Sequence, residues 1–293
     1  MAIPFDQPAM EVEEAIEANQ IYSIDISTKM EKEITSIIKY FSFFQYLPSF
    51  EEIYRFFPKK ITKKRLNTLL KAKKYTLPEY SLSARRKAIS RKKLSNWKFK
   101  LCIGLIFSFP QIKLIGLSGS ISMMNADLDD DIDLFIITAR DRLFTARFLA
   151  TTIAFIMGLK RALRQDKAPN KVCLNLFFDE VNLRIPRFKQ NLFVGHELLQ
   201  MRPIINKDHI YERFLKTNKW VFKLFPNARL PIIPKKSQVA AMNPAPRNNF
   251  GDWLEKILKK FQLRLINKHK TTELITDTQL WFHPDDFQKK IRI

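Results

Sequence analysis

The sequence predicts an α+β protein: a small mixed sheet flanked by helices, with an N-terminal helical domain and a C-terminal helical extension. Two short runs of branched and aromatic residues, Ile112–Leu117 and Ile132–Thr138, have the composition of β-strands. Apolar residues recur at helical spacing before and after them. The chain has 293 residues, with 46% hydrophobic and 27% charged residues, which is enough to bury a core in more than one average domain.

Changes in composition divide the chain into regions that differ in charge, proline content and hydrophobic pattern. They are an acidic tail (1–28), a winged-helix-like domain (29–82), a domain that contains the two strands (83–229), a Pro-rich linker (230–250), and an amphipathic helix with a tail (251–293).

The balance of charge is strongly basic, with a net charge of +22 and a pI near 10.0. Such a surplus favours polyanions: nucleic acid, nucleotide phosphates or an anionic membrane surface. A solvated basic surface without a partner is the alternative. Cys102 and Cys173 have no metal-ligand spacing and predict core residues in a reducing compartment. With no signal segment and no apolar run of spanning length, we expect a cytoplasmic protein without a membrane span.

The winged-helix prediction rests on three short helices followed by a small strand pair. Its third helix would take the recognition position and carries Lys63, Lys64 and Arg65, which suit a phosphate backbone. DNA or RNA binding through this helix and a role in packing alone are both open. Ser49 and Thr62 are predicted N-caps. The predicted helices cover residues 32–46, 50–57 and 63–74, and the strand pair covers 75–82.

The remainder of the chain predicts one more strand and further helices. One long helix leads into the first strand, and another covers the sheet after the second. The last helix, capped by Asp252, is basic and amphipathic; we expect its apolar stripe to pack on its own domain, with an anionic membrane surface as the alternative. The predicted helices cover 83–108, 142–164, 191–201, 211–225 and 252–270, and the strand covers 171–178.

The segment between the two strands carries the clearest chemical signal. The turn Ser118-Gly119-Ser120 offers backbone N–H groups and a hydroxyl to a phosphate. Asp131 and Asp133 are two residues apart at the start of the second strand, so both carboxylates leave the same face. Paired carboxylates are hard oxygen ligands suited to Mg²⁺.

These residues resemble the signature of the nucleotidyltransferase superfamily typified by DNA polymerase β. The signature is Gly-Ser, a spacer of about ten residues and Asp-hydrophobic-Asp-hydrophobic; here it stands as Gly119-Ser120, residues 121–130 and DIDL. The stretches SGSISMMNADLDDDIDLFIIT, VCLNLFFDE, HELLQMRPI and TQLWFHPDD look like parts of prokaryotic proteins described as nucleotidyltransferase domain-containing. The resemblance implies a nucleotidyltransferase fold over 83–229, Mg²⁺ or Mn²⁺ on Asp131 and Asp133, and a nucleoside triphosphate such as ATP on Ser118, Gly119 and Ser120.

The superfamily usually places a third carboxylate on a following strand, as the candidate base for the attacking hydroxyl. Here that strand offers Asn175, with Asp179 at its end as a substitute; alternation predicts that Cys173, Asn175 and Phe177 share one face. Asparagine cannot take a proton at neutral pH. His196, on the predicted helix 191–201, is more typical of a core residue than of a catalytic one.

Two functions stay open on these grounds. The first is a metal-dependent nucleotidyltransferase that moves a nucleoside monophosphate to an acceptor hydroxyl and releases pyrophosphate. The second is a weak or inactive member of the fold that regulates by binding nucleic acid through its basic winged helix. The sequence does not determine which nucleoside triphosphate is used, what kind of molecule accepts the nucleotide, or the oligomeric state.

Overall fold

The computed structural model describes residues 29–72, 80–162, 168–230, 249–268 and 273–282; the predicted acidic tail and most of the Pro-rich linker lie outside them. The helices are α1 (29–43), α2 (Phe50–Phe56), α3 (Lys63–Ala72), α4 (Tyr80–Ser95), α5 (Trp97–Phe107), α6 (Gly119–Ser122), α7 (Leu143–Ile156), α8 (Leu192–Gln200), α9 (Ile210–Thr217), α10 (Trp220–Leu224) and α11 (Asn249–Asn267). The strands are β1 (Ile112–Leu117), β2 (Ile132–Thr138), β3 (Val172–Asp179), β4 (Arg202–Asn206), β5 (Leu274–Ile275) and β6 (Gln279–Trp281).

The strands form one six-stranded mixed sheet in the order β4-β1-β2-β3-β6-β5. β1 is antiparallel to β2 and β4, β2 is parallel to β3, and β6 is antiparallel to β3 and β5. The predicted α+β class is therefore confirmed, and β1 and β2 have the predicted bounds. The sequence did not predict β4, β5 or β6.

A hydrophobic core lies on each face of the sheet. In the first core, Phe135 of β2 packs in one cluster with Phe41 of α1, Phe56 of α2 and Leu66 of α3. In the second core, Leu134 and other alternate residues of β2 pack with α5 and α7. The N-terminal helices thus share a core with the sheet, because their buried faces supply one wall of the first core.

Strand β3 contains a bulge at Asn175. The pairing with β2 passes from Leu174 to Leu176, so Asn175 is the extra residue. A bulge resets the alternation of side chains: Leu176 contacts the first core, whereas Phe177 belongs to the second. The predicted common face of Cys173, Asn175 and Phe177 is therefore wrong for Phe177.

Ser49 and Thr62 cap their helices as predicted. The Ser49 hydroxyl accepts the Glu52 N–H, and the Glu52 carboxylate accepts the Ser49 N–H at 2.8 Å, which is a capping box. The Thr62 hydroxyl accepts the Arg65 N–H at 3.3 Å at the start of α3. Of the strand pair predicted after α3, residues 80–82 are helical instead, and 73–79 lie outside the described residues.

Asparagine side chains divide two of the predicted helices. Asn96 separates α4 from α5, since its side-chain oxygen accepts the N–H groups of Lys98 and Phe99 and starts a new helix. Asn218 separates α9 from α10, and its buried amide bonds the backbone at Leu183 and Ile185. The predicted single helices 83–108 and 211–225 are therefore wrong.

Helix α7 also ends earlier than predicted. Its last residue is Ile156, and Gly158 follows with a φ of +66°, a conformation that favours glycine. The chain then turns into β3, with an isolated bridge between Lys160 and Val172.

Helix α11 packs along α7 through a polar seam. The Glu255 carboxylate accepts the N–H groups of Phe144 and Thr145 at 2.7 and 2.8 Å, which caps the N-terminus of α7. Asp252, the predicted cap of α11 itself, lies inside the helix and pairs with Arg142 at 2.7 Å. Only part of the predicted apolar stripe is covered: Leu258 packs against the second core, while four members stay exposed. They are Trp253, Ile257, Phe261 and Leu265.

No helix within the described ranges is long and apolar enough to cross a bilayer.

Candidate functional site

A cavity of about 1160 Å³ opens beside the first residues of β2 and β3. Its walls come from the turn after β1, from α1 and α8, and from the end of β6. The predicted site residues Ser118, Gly119, Ser120, Asp131, Asp133 and Asn175 all line it.

The turn at Gly119 is pressed against a carboxylate. Gly119 has a φ of +61°, and a Cβ added there would lie 2.5 Å from Asp133 Oδ2. The Ser118 N–H donates to the Asp133 carbonyl oxygen at 3.1 Å, which ties the turn to β2. Only glycine fits this conformation and this contact, so the sequence places backbone N–H groups directly beside a carboxylate.

Two hydroxyls of the turn have different surroundings. Ser120 Oγ donates to Asp130 Oδ2 at 2.8 Å and so helps to shape the acidic loop. Ser118 Oγ is buried and, among the described residues, has no hydrogen-bond partner. An unpaired buried hydroxyl on the cavity wall is a free donor for a ligand.

The paired carboxylates and one thiol form a compact group. One oxygen of Asp131, one oxygen of Asp133 and Cys173 Sγ all lie within 4.8 Å of one another. Arg161 Nη1 donates to Asp131 Oδ2 at 2.7 Å, and the Asn175 side-chain amide donates to Asp133 Oδ1. Each carboxylate therefore has a donor partner from the chain and keeps lone pairs for a cation.

Burial governs the protonation of this group. Burial raises the pKa of Asp133 well above its usual range, and the neighbouring Asp131 and Glu197 carboxylates raise it further. Burial also raises the pKa of the Cys173 thiol, as do the two aspartates. A protonated thiol is a poor ligand, so the hard oxygen donors are the two aspartates.

The structure does not bring Asp179 to the site. It pairs with Thr138 at the other end of β3, beyond the bulge. Its carboxylate accepts the N–H groups of Asp141 and Val181 at 2.8 and 3.0 Å, although burial raises its pKa to about 7. Asp179 thus holds a turn and is not a substitute for a third site carboxylate.

Four further residues line the cavity that were not among the predicted site residues: Arg147, Arg161, Cys173 and Glu197. Glu197 Oε2 accepts the Gly119 N–H at 3.3 Å. Arg147 Nη1 donates to Gln262 at 2.5 Å, and its guanidinium lies 4.8 Å from the centre of the Phe282 ring. Of these residues, only Cys173 could have been expected at the site from the sequence, because it lies two residues before Asn175 on the same strand. In the structure it pairs with Asp133.

His196 belongs to the core, as its apolar context predicts. Its ring is stacked between the rings of Tyr40 and Phe56, with distances of 3.8 and 4.1 Å between ring centres. The ring of Phe225 packs edge-on, with its centre 4.8 Å from that of the imidazole. Burial lowers the pKa of His196 to about 3, so the imidazole is neutral.

The proposed nucleic-acid residues lie away from the cavity. Lys63 Nζ pairs with Glu51 at 2.6 Å, and Lys64 and Arg65 are exposed on α3. None of these three basic residues lines the cavity. Any contact that they make with a polyanion is therefore a surface contact.

Comparisons with protein-family models, with curated proteins and with solved structures give no match for this chain. Its function has to be inferred from the residues of its own cavity.

Proposed function

We propose that the chain is a metal-dependent nucleotidyltransferase of the DNA polymerase β type, which transfers a nucleoside monophosphate from a triphosphate to an acceptor hydroxyl. The contact between Gly119 and Asp133 carries the proposal. It joins a turn that can bind phosphate to a carboxylate pair that can bind a cation, and it leaves no room for a side chain between them.

Asp131 and Asp133 would hold Mg²⁺ or Mn²⁺. The donor set fits, since two carboxylates meet at a half-buried place where burial and mutual repulsion raise the pKa of Asp133. When bound, the ion offsets negative charge on the attacking and leaving oxygens. Asn175 fixes the orientation of the Asp133 carboxylate through its amide.

The triphosphate would lie along the Gly119 turn. The Gly119 N–H already donates to a carboxylate oxygen, so an anionic oxygen fits at this position. Ser118 Oγ is the unpaired hydroxyl beside it, and Arg147 and Arg161 supply positive charge on the same cavity. These groups would bind and orient the phosphates.

Asn175 cannot take the proton of the attacking hydroxyl. We assign that role to Glu197, which lines the same cavity and whose pKa is raised by burial. A phosphate oxygen on the Gly119 N–H would displace the Glu197 carboxylate from this contact and release it to act as the base. Glu197 thus takes the role for which the sequence offered Asp179 as a substitute.

A transfer assay tests the proposal. Each labelled nucleoside triphosphate is incubated with Mg²⁺ or Mn²⁺ and with total RNA, DNA or lysate protein as acceptor. We expect labelled product, with a loss of about a hundredfold or more in Asp131→Asn and Asp133→Asn. Asp129→Asn, an exposed neighbour, is the matched control. Unchanged transfer in both site variants would refute the assignment.

A second candidate is a nucleic-acid-binding regulator that keeps the fold without turnover. It is favoured by Asn175 at the place of a third acid and by the exposed Lys64 and Arg65 on α3. It predicts binding of DNA or RNA that weakens steeply with salt, and no incorporation of nucleotide. Charge reversal of Lys63, Lys64 and Arg65 should abolish that binding, and unchanged affinity would exclude this function.

A further inference from the structure

Helices α5, α7 and α11 cover the same face of the sheet. Each buries one side against the second core, for example through Cys102 of α5, Ala150 of α7 and Leu258 of α11. Helix α7 contacts both of the others and lies between them. Their opposite sides therefore form one surface that points away from the sheet, which we call the outer helical face.

The outer helical face is strongly apolar. Twelve of the nineteen exposed large hydrophobic side chains among the described residues lie on these three helices. On α7, Phe155 is 70% exposed and Ile156 is 76% exposed. Trp97 of α5 is 67% exposed, and Trp253 of α11 is 56% exposed. Such a concentration marks an interaction surface, because scattered single apolar residues are the norm elsewhere on proteins.

The same face is positively charged. Exposed basic residues stand between the apolar stripes, among them Lys98 and Lys100 of α5 and Lys256, Lys260 and Arg264 of α11.

The acidic residues of α5, α7 and α11 are Asp252 and Glu255, and both are engaged within the protein. Asp252 pairs with Arg142, and Glu255 caps the N-terminus of α7. No carboxylate of these helices therefore balances the lysines.

We propose that the outer helical face binds the surface of an anionic lipid bilayer. Tryptophan and phenylalanine enter the headgroup boundary, and lysine and arginine side chains reach the lipid phosphates. A second copy of this chain would bring positive charge against positive charge. A nucleic-acid backbone would leave aliphatic side chains such as Ile156 and Leu265 in water. The inference does not depend on the proposed transferase activity.

Vesicle flotation with the full chain tests the proposal. We expect the protein to float with vesicles of equimolar phosphatidylcholine and phosphatidylglycerol, less so in high salt, and not with phosphatidylcholine alone. The double variant Phe155→Ser/Trp253→Ser should bind anionic vesicles about tenfold more weakly. Phe188→Ser is the matched control, since Phe188 is also 70% exposed but lies on none of the three helices.

Two charge-reversal variants test the electrostatic part of the proposal. Lys256→Glu/Lys260→Glu should weaken binding, while Lys216→Glu/Lys219→Glu, on and beside α9, makes the same change in net charge at a helix that packs on the first core. Equal losses in the two charge variants, flotation with neutral vesicles to the same extent, or no flotation at all would overturn the proposal. So would a chain that dimerises in light scattering, ignores vesicles and becomes monomeric on Phe155→Ser.

Discussion

The side-chain amide of Asn175 donates a hydrogen bond to Asp133, the half-buried carboxylate beside the Gly119 turn. The bulge in β3 makes this contact, because it adds Asn175 as an extra residue opposite β2. An amide at this position stabilises an ionised Asp133, whereas a carboxylate would repel it.

Asn175→Asp should therefore lower the free energy of unfolding by about 2 kcal/mol in EDTA, because the hydrogen bond to Asp133 is lost and a third carboxyl group joins Asp131 and Asp133 where burial already disfavours negative charge. Mg²⁺ or Mn²⁺ should restore part of the loss. Urea denaturation with and without the ion measures both effects. Asn67→Asp, a change at an exposed residue of α3, is the control, and equal stability of the two variants in EDTA would contradict the prediction.

Gly119→Ala should destabilise the protein by about 1–2 kcal/mol and abolish Mn²⁺ binding. The new methyl group meets Asp133 Oδ2, and the φ of +61° is strained for alanine. Thermal unfolding and Mn²⁺ titration by electron paramagnetic resonance check the two effects. Gly104→Ala is the opposite case: Gly104 lies in α5 with nothing within 4 Å of its added Cβ, so stability should rise by up to about 1 kcal/mol. A harmless Gly119→Ala would mean that the turn is not held against Asp133.

Glu255→Ala should cost about 1–2 kcal/mol, because it removes the cap of α7 that α11 supplies. Hydrogen exchange should accelerate at the amides of Phe144 and Thr145, which lose their acceptor. The neighbouring exposed residue gives the control Lys256→Ala, for which we expect neither change. Unaltered exchange at both amides would show that the cap contributes nothing.

His196→Phe should make stability less dependent on pH. The pKa of His196 is about 3 in the folded protein and about 6.5 in an unfolded chain. Between these values the unfolded chain binds a proton that the folded protein does not. Stability therefore falls by about 1.4 kcal/mol per pH unit as the pH drops below 6.5.

Phenylalanine keeps the ring between Tyr40 and Phe56 and removes the titration. Urea unfolding at several pH values between 4 and 7 compares the slopes, with His209→Asn as a control at a partly exposed histidine. Parallel slopes for wild type and His196→Phe would show that another group carries the pH dependence.

Local patterns in the sequence were enough to predict the two central strands β1 and β2 of the sheet. β1 and β2 are buried strands with turn residues between them, and Ser49 and Glu52 make the capping box that their spacing indicates. Such features depend on neighbours in the chain, and a sequence shows them directly.

The remaining strands depend on partners far along the chain. β4 begins at Arg202-Pro203, which resembles a helix stop, yet its residues pair with β1. β6 is a three-residue strand whose partner is the end of β3. Long-range pairing gives such short segments their conformation, so their own composition does not reveal it.

The candidate site likewise combines residues that local sequence patterns predict with residues that only the folded chain brings together. The Gly119 turn and Asp133 were predictable because they flank one loop of two paired strands. Arg161 follows α7 and Glu197 lies in α8, and only the folded topology brings them to the cavity. The bulge at Asn175 has no local signature, which is why Asp179 was expected on the site face.

The pairing of β6 with β3 also determines the order in which a nascent chain can complete its sheet. A ribosome delivers β3 well before β6, so β3 first exists with one edge unpaired and with Leu176 and Phe178 beside that edge. An open apolar edge is a template for wrong partners, including other nascent chains. Release of β6 closes the edge, and it seats Trp281 against Phe178 in the same event. The open edge of β3 therefore remains available for aggregation until β6 has been synthesised.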